Sequence, residues 1–476
     1  MIKPSCDEIM ELAKSYNTIP VCKEILADVI TPITLLRRIA ASKKRFFLLE
    51  SIEGGEKWGR YSFIGYDPIM RVSCKNAVVT IDRNGKMKNI ETKKPLEVLR
   101  SILKDYKSPS LKELPPFTGG LVGYFAYSMI GYAEPKLKIK SGDFNDYDVM
   151  LFDKVIAYDH LKQKICVIVN MSTDKILENY GKATAEIEKI INLINDSSPL
   201  PELKGRMKSD FECNVSEKEY IRDGDIFQAV ISRKFTCKYD GCLINAYRVL
   251  RTINPSPYMV YMNIDDDEII STSPETLVRL QNGRLYTFPV AGSRPRGKTD
   301  EEDIALEKSL LSDEKELSEH NMLVDLGRND LGRISKYDSV EVTKYMVIHR
   351  YSKIMHICSQ VESNIRDDCD AMDAIESVLP AGTLSGAPKI RACQLIGELE
   401  DNKRGIYGGA IGYIDFTGNM DTCIAIRIAY KKNGKVFVRS GAGIVADSDP
   451  EKEFQECINK AKASLKALEV SQEVEE

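Results

Sequence analysis

The sequence predicts a protein of mixed helices and strands that is built as two closely packed lobes. Its 476 residues are more than one ordinary hydrophobic core accommodates. Patterns of both helix and strand occur in the first part of the chain. In addition, the run "GGLVGY" at 119–124 is echoed as "GGAIGY" at 408–413. Each run is apolar and aromatic, which is typical of a close-packed strand, so the two lobes are expected to share a type of sheet and to pack together.

The first lobe, 1–195, contains segments with clear periodicity. Apolar residues that recur three and four positions apart indicate amphipathic helices, and β-branched and aromatic runs indicate strands. The predicted helices are "TPITLLRRIA" (31–40) and "KATAEIEKIINLIN" (182–195, with Ile187, Ile190, Ile191 and Ile194 on one face), and the predicted strands are "RFFLLES" (45–51) and "DYDVMLFDKVIAYDH" (146–160).

A polar segment with prolines, 196–215, is the best candidate for a linker between the lobes. The second lobe is expected to span 216–470. It contains the least common sequence in the chain, and the candidate chemistry lies mostly there.

Composition excludes several classes of protein. Lys and Arg number 67 against 71 Asp and Glu, so no general nucleic-acid or membrane surface is indicated. The 12 cysteines form no CxxC pair, and with only four histidines a zinc site is not expected. Scattered cysteines and the lack of a signal peptide predict reduced thiols and a cytoplasmic location. The most apolar run, 117–133, is broken by glycines and is expected to be a buried strand and helix rather than a membrane span.

Two predicted helices each carry a pair of glutamates three residues apart, Glu316 with Glu319 and Glu453 with Glu456. This spacing places each pair on one helix face. Solvated surface faces are the simpler interpretation. If the pairs face each other, two carboxylates about 5 Å apart repel by roughly 3 kcal/mol at an effective dielectric constant near 20. A hard divalent cation would relieve that repulsion, and an all-oxygen donor set suits Mg²⁺.

The run "GAGIVADSDP" offers a second anion site. The amides of Gly441, Ala442 and Gly443 could cradle a phosphate or, equally, a carboxylate, and no Walker lysine follows them. Arg427 alternates with apolar residues in "AIRIAY", which predicts a side chain that points inward from a strand. A buried arginine would grip a carboxylate, whereas an edge-strand arginine would face water.

Single titratable residues are less specific. His356 lies in the apolar run "KIMHICSQ", where a histidine is more often a satisfied core residue than a catalyst. Glu275 follows a proline at a position where a strand is expected to run into a turn. Taken alone, it would be interpreted as a glutamate at the start of a helix. The stretch "YTFPVAGSRPRG" (286–297) begins as a buried strand and is expected to break into a small-residue turn at 291–293, which would place amides and basic side chains at a sheet edge. That turn contains the chemically inert Ala291.

Taken together and in this order, "ELSEHNMLVDLGRNDLGR", "PAGTLSGAPK", "YGGAIGY" and "GAGIVADSDPEKEFQECINKA" resemble the chorismate-utilising enzymes. The resemblance covers about residues 20–468. It implies an α+β fold in which two interleaved lobes form a sandwich of large antiparallel sheets with helices packed outside. The family includes anthranilate synthase large subunits, aminodeoxychorismate synthases, isochorismate synthases and salicylate synthases.

Two positions separate the members of this family. Aminodeoxychorismate synthases typically carry a lysine at the position of Ala291, and isochorismate and salicylate synthases carry a water-activating lysine at the position that resembles Gln228. This chain has neither lysine. The resemblance therefore points to a delivered nucleophile, ammonia, and to the large subunit of anthranilate synthase. There are two alternatives: aminodeoxychorismate synthase, and a catalytically dead regulatory protein that binds amino acids.

The resemblance also implies roles for individual residues. Glu319 and Glu456 are expected to bind Mg²⁺, with Glu316 and Glu453 behind them or binding through water. Glu275 is expected to protonate the leaving hydroxyl, and His356 to assist loss of the ring proton. The expected substrate contacts are Gly292, Ser293, Thr383, Tyr407, Arg427, Gly441, Ala442, Gly443 and Lys460.

Two expected partners follow from the same resemblance. No glutaminase nucleophile turn occurs in the sequence, so ammonia is expected from a separate glutamine amidotransferase subunit, in a heterotetramer. Tryptophan is expected to inhibit at a separate site formed by "LLES" and "NPSPYM", with contacts from Ser51, Pro257, Tyr258 and Met259. Two departures from the family are visible: Ser293 stands where threonine is usual, and the helix leading into "GDIFQ" is about ten residues short.

Overall fold

The computed structural model describes residues 2–28, 30–51, 59–137, 139, 142–213, 226–350, 354–400, 403–445 and 448–474. In that part of the chain the helices, in chain order, are α1 (Cys6–Leu12), α2 (Pro32–Ala40), α3 (Pro95–Lys104), α4 (Ile130–Ala133), α5 (Ile176–Ile194), α6 (Ile244–Ile253), α7 (Asp300–Leu311), α8 (Glu314–Gly332), α9 (Ala371–Val378), α10 (Lys389–Leu399) and α11 (Pro450–Val470). Short 3₁₀ turns occur at Tyr127–Met129, Pro135–Leu137 and Gly382–Leu384.

The strands alternate with these helices along the chain. They are β1 (Ile2–Lys3), β2 (Thr18–Leu26), β3 (Arg45–Glu50), β4 (Tyr61–Tyr66), β5 (Met70–Lys75), β6 (Val78–Arg83), β7 (Lys86–Glu91), β8 (Gly120–Phe125), β9 (Tyr147–Phe152), β10 (Lys154–Asp159), β11 (Lys164–Ser172), β12 (Gly205–Met207), β13 (Glu212–Cys213), β14 (Gln228–Gly241), β15 (Tyr258–Ile264), β16 (Asp267–Ser273), β17 (Thr276–Gln281), β18 (Arg284–Thr287), β19 (Val290–Pro295), β20 (Glu341–Arg350), β21 (Ile354–Asn364), β22 (Gly386–Ala387), β23 (Ala410–Asp415), β24 (Met420–Ile424), β25 (Ile428–Lys432) and β26 (Lys435–Ile444).

The strands form two large antiparallel sheets. Sheet 1 has the order β1-β2-β11-β10-β4-β3-β15-β16-β25-β26-β14-β12, with β13 and β22 also paired to β14. Sheet 2 has the order β19-β21-β18-β17-β24-β23-β8-β9-β5-β6-β7, with β20 paired to β21. Strands from both ends of the chain pair within each sheet. The predicted α+β sandwich of interleaved lobes is confirmed.

One apolar core lies between the sheets and a second lies under the helices of sheet 1. The first contains Phe47 of sheet 1 and Val72 of sheet 2. The second contains Phe46, from the opposite face of the same strand as Phe47, together with residues of α2, α5, α6 and α11. This alternation along β3 is what a strand buried on both faces requires.

The glycine echo is explained by direct pairing of its two copies. Strand β8 lies beside β23, with Gly123 opposite Gly412. A Cβ atom on Gly123 would lie 2.1 Å from the carbonyl oxygen of Asp148, and one on Gly412 would lie 2.1 Å from that of Asp421. Only glycine permits the neighbouring backbones to approach this closely.

Several local predictions are confirmed. Helix α2 begins after the N-cap Thr31, whose hydroxyl accepts from the Thr34 amide, and α5 buries the predicted isoleucine face. The glycine-broken run at 117–133 is β8 followed by a 3₁₀ turn and α4. No helix in the described residues is long and apolar enough to cross a membrane.

Other predictions need correction. The run "DYDVMLFDKVIAYDH" is two strands, since β9 lies in sheet 2 and β10 in sheet 1, and the chain changes sheet at Asp153. The segment 196–215 contains β12 and β13, which pair with β14; the division into lobes at this segment stays a prediction. The predicted short helix before Gln228 falls largely on 214–225, outside the described residues.

Candidate active site

The candidate site lies where the chain crosses twice between the sheets. Residues Pro274 and Glu275 join β16 of sheet 1 to β17 of sheet 2, and Arg427 precedes β25 on the return from sheet 2 to sheet 1. The two crossings are hydrogen-bonded to their neighbours: the Ile424 amide donates to the Glu275 carbonyl at 3.0 Å, and the Thr272 amide donates to the Arg427 carbonyl at 3.2 Å. The two crossings place the side chains of Glu275 and Arg427 on segments that join the two sheets.

Glu275 is held as an acid. Its side chain is partly buried, and the Thr383 hydroxyl donates to its Oε1 at 3.0 Å. Burial raises the pKa of Glu275 to about 7, against the opposing effects of Thr383 and of the Lys460 charge. A carboxyl group with this pKa is protonated in a large fraction of molecules near neutral pH, as a general acid must be.

The predicted turn at Ala291, Gly292 and Ser293 is a β-bulge within β19 rather than the end of a strand. The pairing register with β21 shifts between Ala291 and Ser293, and Gly292 has a φ of 71°. A Cβ atom on Gly292 would lie 3.1 Å from Glu316 Oε2. The sequence pattern did not predict the bulge, because a regular strand and a bulged strand have the same flanking sequence and differ only in their pairing with the neighbouring strand.

His356 lies on β21, directly opposite Ser293. Its Nδ1 atom donates to the Gly292 carbonyl at 3.1 Å, which leaves Nε2 with the lone pair in the neutral ring. Burial lowers the pKa of His356, and the charge of Arg427 lowers it further despite the opposing Gly292 bond. The ring is therefore neutral near pH 7 and able to accept a proton at Nε2.

Helix α8 presents the first glutamate pair from its first two turns. Asp313 caps the helix by accepting from the amides of Lys315 and Glu316. Arg294 of β19 pairs with Glu316 at 3.3 Å. Burial and then the charge of Glu316 raise the pKa of Glu319, while the Lys315 charge opposes the change.

Helix α11 presents the second pair in a similar way. The Ser448 hydroxyl donates to Glu453 Oε1 at 3.0 Å, and Lys460 pairs with Glu456 Oε1 at 2.5 Å. Burial and then the Glu456 charge raise the pKa of Glu453, in opposition to the Ser448 bond. The Lys315 charge of α8 also acts on the Glu453 carboxyl, so the two helix starts lie in one electrostatic neighbourhood.

These carboxylates fit a hard divalent cation by their chemistry. The donors are all oxygen, which Mg²⁺ prefers, and two of the four carboxyls have raised pKa values that a nearby cation would reverse. In the described part of the chain, no three acidic, histidine or cysteine side chains are already gathered around one point. Binding would therefore require the carboxylates to draw together.

Gln228 connects the first glutamate pair to the end of sheet 1. It is 4% exposed at the start of β14, and its Nε2 atom donates to Glu319 Oε1 at 3.3 Å. Its Oε1 atom is buried and has no hydrogen-bond partner among the residues described. A Cβ atom on Gly443 would lie 2.3 Å from Gln228 Nε2, so that glycine makes room for the amide.

Residues 441–443 form part of β26, which pairs with β14, and not a glycine loop. The pairing with β14 extends through all three residues, and their role as a cradle for an anion stays a prediction. A Cβ atom on Gly441 would lie 3.0 Å from the Tyr407 hydroxyl. Burial raises the pKa of Tyr407, so its hydroxyl stays protonated.

Arg427 has a φ of 48° and lies just before β25, not within a strand as its alternation suggested. Burial lowers the pKa of its guanidinium, in opposition to its electrostatic interactions with Tyr407 and Glu456. Among the described residues its side chain has no hydrogen-bonded or ion-paired partner. A partly buried guanidinium in this state is suited to a carboxylate supplied by a ligand.

The two segments predicted to bind an inhibitor are adjacent. Strand β3 ends at Glu50, which pairs with Met259 at the start of β15, so Ser51 lies beside "NPSPYM". The Ser51 hydroxyl is buried and has no hydrogen-bond partner in the part of the chain that the structure describes. Pro257 is partly buried. Met259 is fully buried, and the Tyr258 hydroxyl bonds Asp421 at 2.8 Å, so these two predicted contacts point their side chains into the cores.

Comparison with known proteins places the chain in a family. The model of the chorismate binding enzymes matches residues 44–466. The chain therefore belongs to the chorismate-binding enzyme family. The predicted resemblance to anthranilate synthase large subunits is also confirmed: the chain is 48% identical to anthranilate synthase component 1 of Acetivibrio thermocellus over 100% of both chains, and 45% identical to that of Aquifex aeolicus over 99% of both.

Solved structures agree. The crystal structure of anthranilate synthase component I from Streptococcus pneumoniae superposes with a TM-score of 0.75 at 36% identity, covering 93% of this chain and 99% of the other. The menaquinone-specific isochorismate synthase of Escherichia coli has a TM-score of 0.69 at 18% identity, covering 97% and 98%, and supports the fold alone.

Proposed function

We propose that this chain is the chorismate-converting subunit of an anthranilate synthase, which forms anthranilate and pyruvate from chorismate and ammonia. The observation that carries the proposal is a site with an acid, Glu275, and a neutral base, His356, but with Ala291 and Gln228 where related enzymes carry amines. The named relatives support the same activity over their full length. A site that cannot supply its own nucleophile requires one to be delivered.

Substrate binding is expected to neutralise two carboxylates. Arg427 and the Tyr407 hydroxyl would hold the enolpyruvyl carboxylate beside Gly441, Ala442 and Gly443. Glu319 and Glu456 would hold Mg²⁺, with Glu316 and Glu453 behind them; the bound ion neutralises the charge of the ring carboxylate. Gly292 and Ser293 would line one side of the ring.

The first chemical step adds ammonia to the ring and expels the C4 hydroxyl. Hydroxide is a poor leaving group, so Glu275 donates its proton and the group departs as water. Thr383 keeps the Glu275 carboxyl aimed by donating to the oxygen at 3.0 Å. The Gln228 amide, which carries no charge, leaves water unactivated and ammonia unprotonated.

The second step removes pyruvate and the ring proton. His356, neutral and with its Nδ1–H committed to the Gly292 carbonyl, accepts that proton at Nε2. Aromatisation of the ring then makes the step irreversible. Lys460, which pairs with Glu456, would keep the glutamate from turning away from the site.

We propose two partners. The first is a glutamine amidotransferase subunit that supplies ammonia, in a heterotetramer. The second is tryptophan, as a feedback inhibitor between Ser51 and Pro257. The buried Ser51 hydroxyl, which has no hydrogen-bond partner among the described residues, supports this placement because such a group is unfavourable unless a ligand completes it. Since β3 and β15 also form the middle of sheet 1, a ligand there would bias the lobes toward one arrangement.

The proposal is tested with the purified chain, chorismate, Mg²⁺ and ammonium at mildly alkaline pH. Anthranilate fluorescence is expected to appear with ammonium and to be absent with glutamine until a partner subunit is added. Excess chelator should abolish turnover, as should Glu319→Gln. Full activity in chelator would overturn the metal assignment, and a product other than anthranilate would overturn the proposed reaction.

A further inference from the structure

Arg404, Glu400 and Arg439 form a cluster of buried charges that has no part in the proposed reaction steps. Arg439, Glu400 and Arg404 have side chains that are 0%, 3% and 2% exposed. Arg404 Nη2 pairs with Glu400 Oε1 at 2.6 Å, and Arg439 Nη1 pairs with Glu400 Oε2 at 3.1 Å. Nothing in the sequence distinguished these residues, because single arginines and glutamates in a chain are usually solvated.

The cluster binds the backbone of two segments that are distant in the sequence. Arg404 Nη2 donates to the Val230 carbonyl of β14 at 2.5 Å, and Nη1 donates to the Leu384 carbonyl at 2.5 Å. The Ser232 amide and hydroxyl both donate to Glu400 Oε1 at 2.9 Å. One guanidinium thus fixes the spacing between β14 and the turn at Leu384.

Both segments carry residues of the site. Gln228 begins β14 and pairs with Ala387, while Thr383 immediately precedes Leu384. The Val230 amide donates to the Ser385 carbonyl at 2.9 Å, which adds a direct bond between the same segments. Movement of either segment would therefore alter the Thr383 bond to Glu275 or the Gln228 bond to Glu319.

The far end of the turn segment is held by a second buried pair. Lys389 Nζ donates to both carboxylate oxygens of Asp330 at 2.7 Å and to the Val378 carbonyl at 3.1 Å. Asp330 lies on α8, the helix that carries Glu319. The segment 379–389 is thus fixed to β14 on one side and to α8 on the other.

Stability alone does not account for such an arrangement. Desolvating charges is costly, and apolar replacements of buried ion pairs are often neutral or stabilising. What an apolar side chain cannot do is donate two hydrogen bonds in a fixed plane, as a guanidinium does. We infer that Arg404 is a positioning residue that sets the distance between Thr383 and Glu275 and, through β14, the place of Gln228. This inference rests on the proposed function.

The test is a double-mutant cycle on Arg404 and Thr383, measured by turnover of chorismate with ammonium. Arg404→Lys keeps the charge beside Glu400 but cannot reach both carbonyl oxygens. Each single variant, Arg404→Lys and Thr383→Val, is expected to lower kcat about tenfold with KM within about twofold of the wild type. If Arg404→Lys already breaks the Thr383 bond to Glu275, little of that bond is left to remove, so Thr383→Val should lower kcat by less than about twofold when Arg404 is lysine.

The pH profile supplies a readout that a loss of stability would not move. The Thr383 hydroxyl stabilises the Glu275 carboxylate, so losing that bond raises the pKa of Glu275. The alkaline limb of kcat should therefore shift to higher pH in both variants. Arg71→Gln is the matched control, since Arg71 is also mostly buried and bonds Asp148 bidentately. Its partners Asp148 and Asp265 lie in neither β14 nor the segment 379–389. This variant should lower stability and leave the limb unchanged.

Hydrogen exchange in the absence of substrate separates this inference from the proposed function. The Val230 amide, bonded to Ser385, should exchange at least about tenfold faster in Arg404→Lys and stay protected in Arg71→Gln. Strict additivity in the cycle, with an unmoved alkaline limb, would overturn the positioning role. Failure of the wild type to consume chorismate would overturn the proposed function. The exchange result would still decide whether Arg404 holds β14 and the segment 379–389 together.

Discussion

Replacing Glu275 with glutamine should change activity and stability in opposite directions at alkaline pH. Glutamine has the same shape and still accepts the Thr383 hydroxyl bond, but it cannot donate an acidic proton. General acid catalysis contributes about 10²–10⁴-fold, so Glu275→Gln is expected to lose about that factor in kcat. Substrate binding, which relies on other residues, should change little.

The stability effect follows from the pKa of about 7. A glutamate in the unfolded chain ionises near its ordinary value of about 4.3, so it releases its proton roughly 2.7 pH units earlier than in the folded protein. The wild type therefore loses stability as pH rises through this window, and the loss levels off above about pH 7. At about 1.4 kcal/mol for each unit, ionised Glu275 costs folding roughly 3–4 kcal/mol.

The variant avoids that cost because its amide does not ionise. Urea unfolding of both proteins at pH 8.5 should show Glu275→Gln to be more stable by up to roughly 3 kcal/mol, and the difference should shrink toward zero near pH 4.5. Other titrating groups are common to the two proteins and cancel in the difference. A variant that is equally destabilised at both pH values, or one that retains wild-type kcat, would refute the assignment of Glu275 as a buried acid.

Three further substitutions test separate parts of the site. Gly443→Ala places a methyl group 2.3 Å from the Gln228 amide nitrogen and should lower kcat about tenfold, because the Gln228 bond to Glu319 is lost. Gly181→Ala is the control: a methyl group there meets no described atom within 4 Å and should leave kcat unchanged. Ala291→Lys should crowd the ring and reduce anthranilate formation, with a covalent lysine adduct visible by mass spectrometry; unchanged kinetics would mean that residue 291 does not face the ring. Ser51→Phe should abolish inhibition by millimolar tryptophan while uninhibited turnover persists, and an equally sensitive variant would show that the inhibitor site is misplaced.

Much of the fold was accessible from the sequence because its signals are local. The isoleucine face of α5 and the capped start of α2 follow from spacing and from single capping residues. The glycine echo indicated a shared sheet, and β8 and β23 prove to be neighbours. The run at 146–160 shows the limit: β9 and β10 have the same apolar composition, and only the distant strands that each pairs with decide which sheet it joins.

The site was predictable where family motifs carry it and unpredictable where it depends on backbone geometry. The helical positions of Glu316 and Glu456 follow from periodicity. The bulge at Gly292 does not, because its register shift is imposed by pairing with β21, more than 60 residues away in the chain. The bonds of Arg404 to β14 and to the turn are unpredictable for a related reason, because their acceptors are the backbone carbonyls of Val230 and Leu384, which no side-chain pattern reveals.

The most direct measurement of the central claim is the fate of ¹⁵N-ammonium supplied to the purified chain with chorismate and Mg²⁺. One ¹⁵N atom is expected on the ring of each anthranilate, with one pyruvate released for each, and no anthranilate of either isotope is expected when glutamine replaces ammonium. A product that retains the enolpyruvyl group, or one that carries oxygen from water in place of nitrogen, would contradict the claim that this site adds ammonia and then eliminates pyruvate.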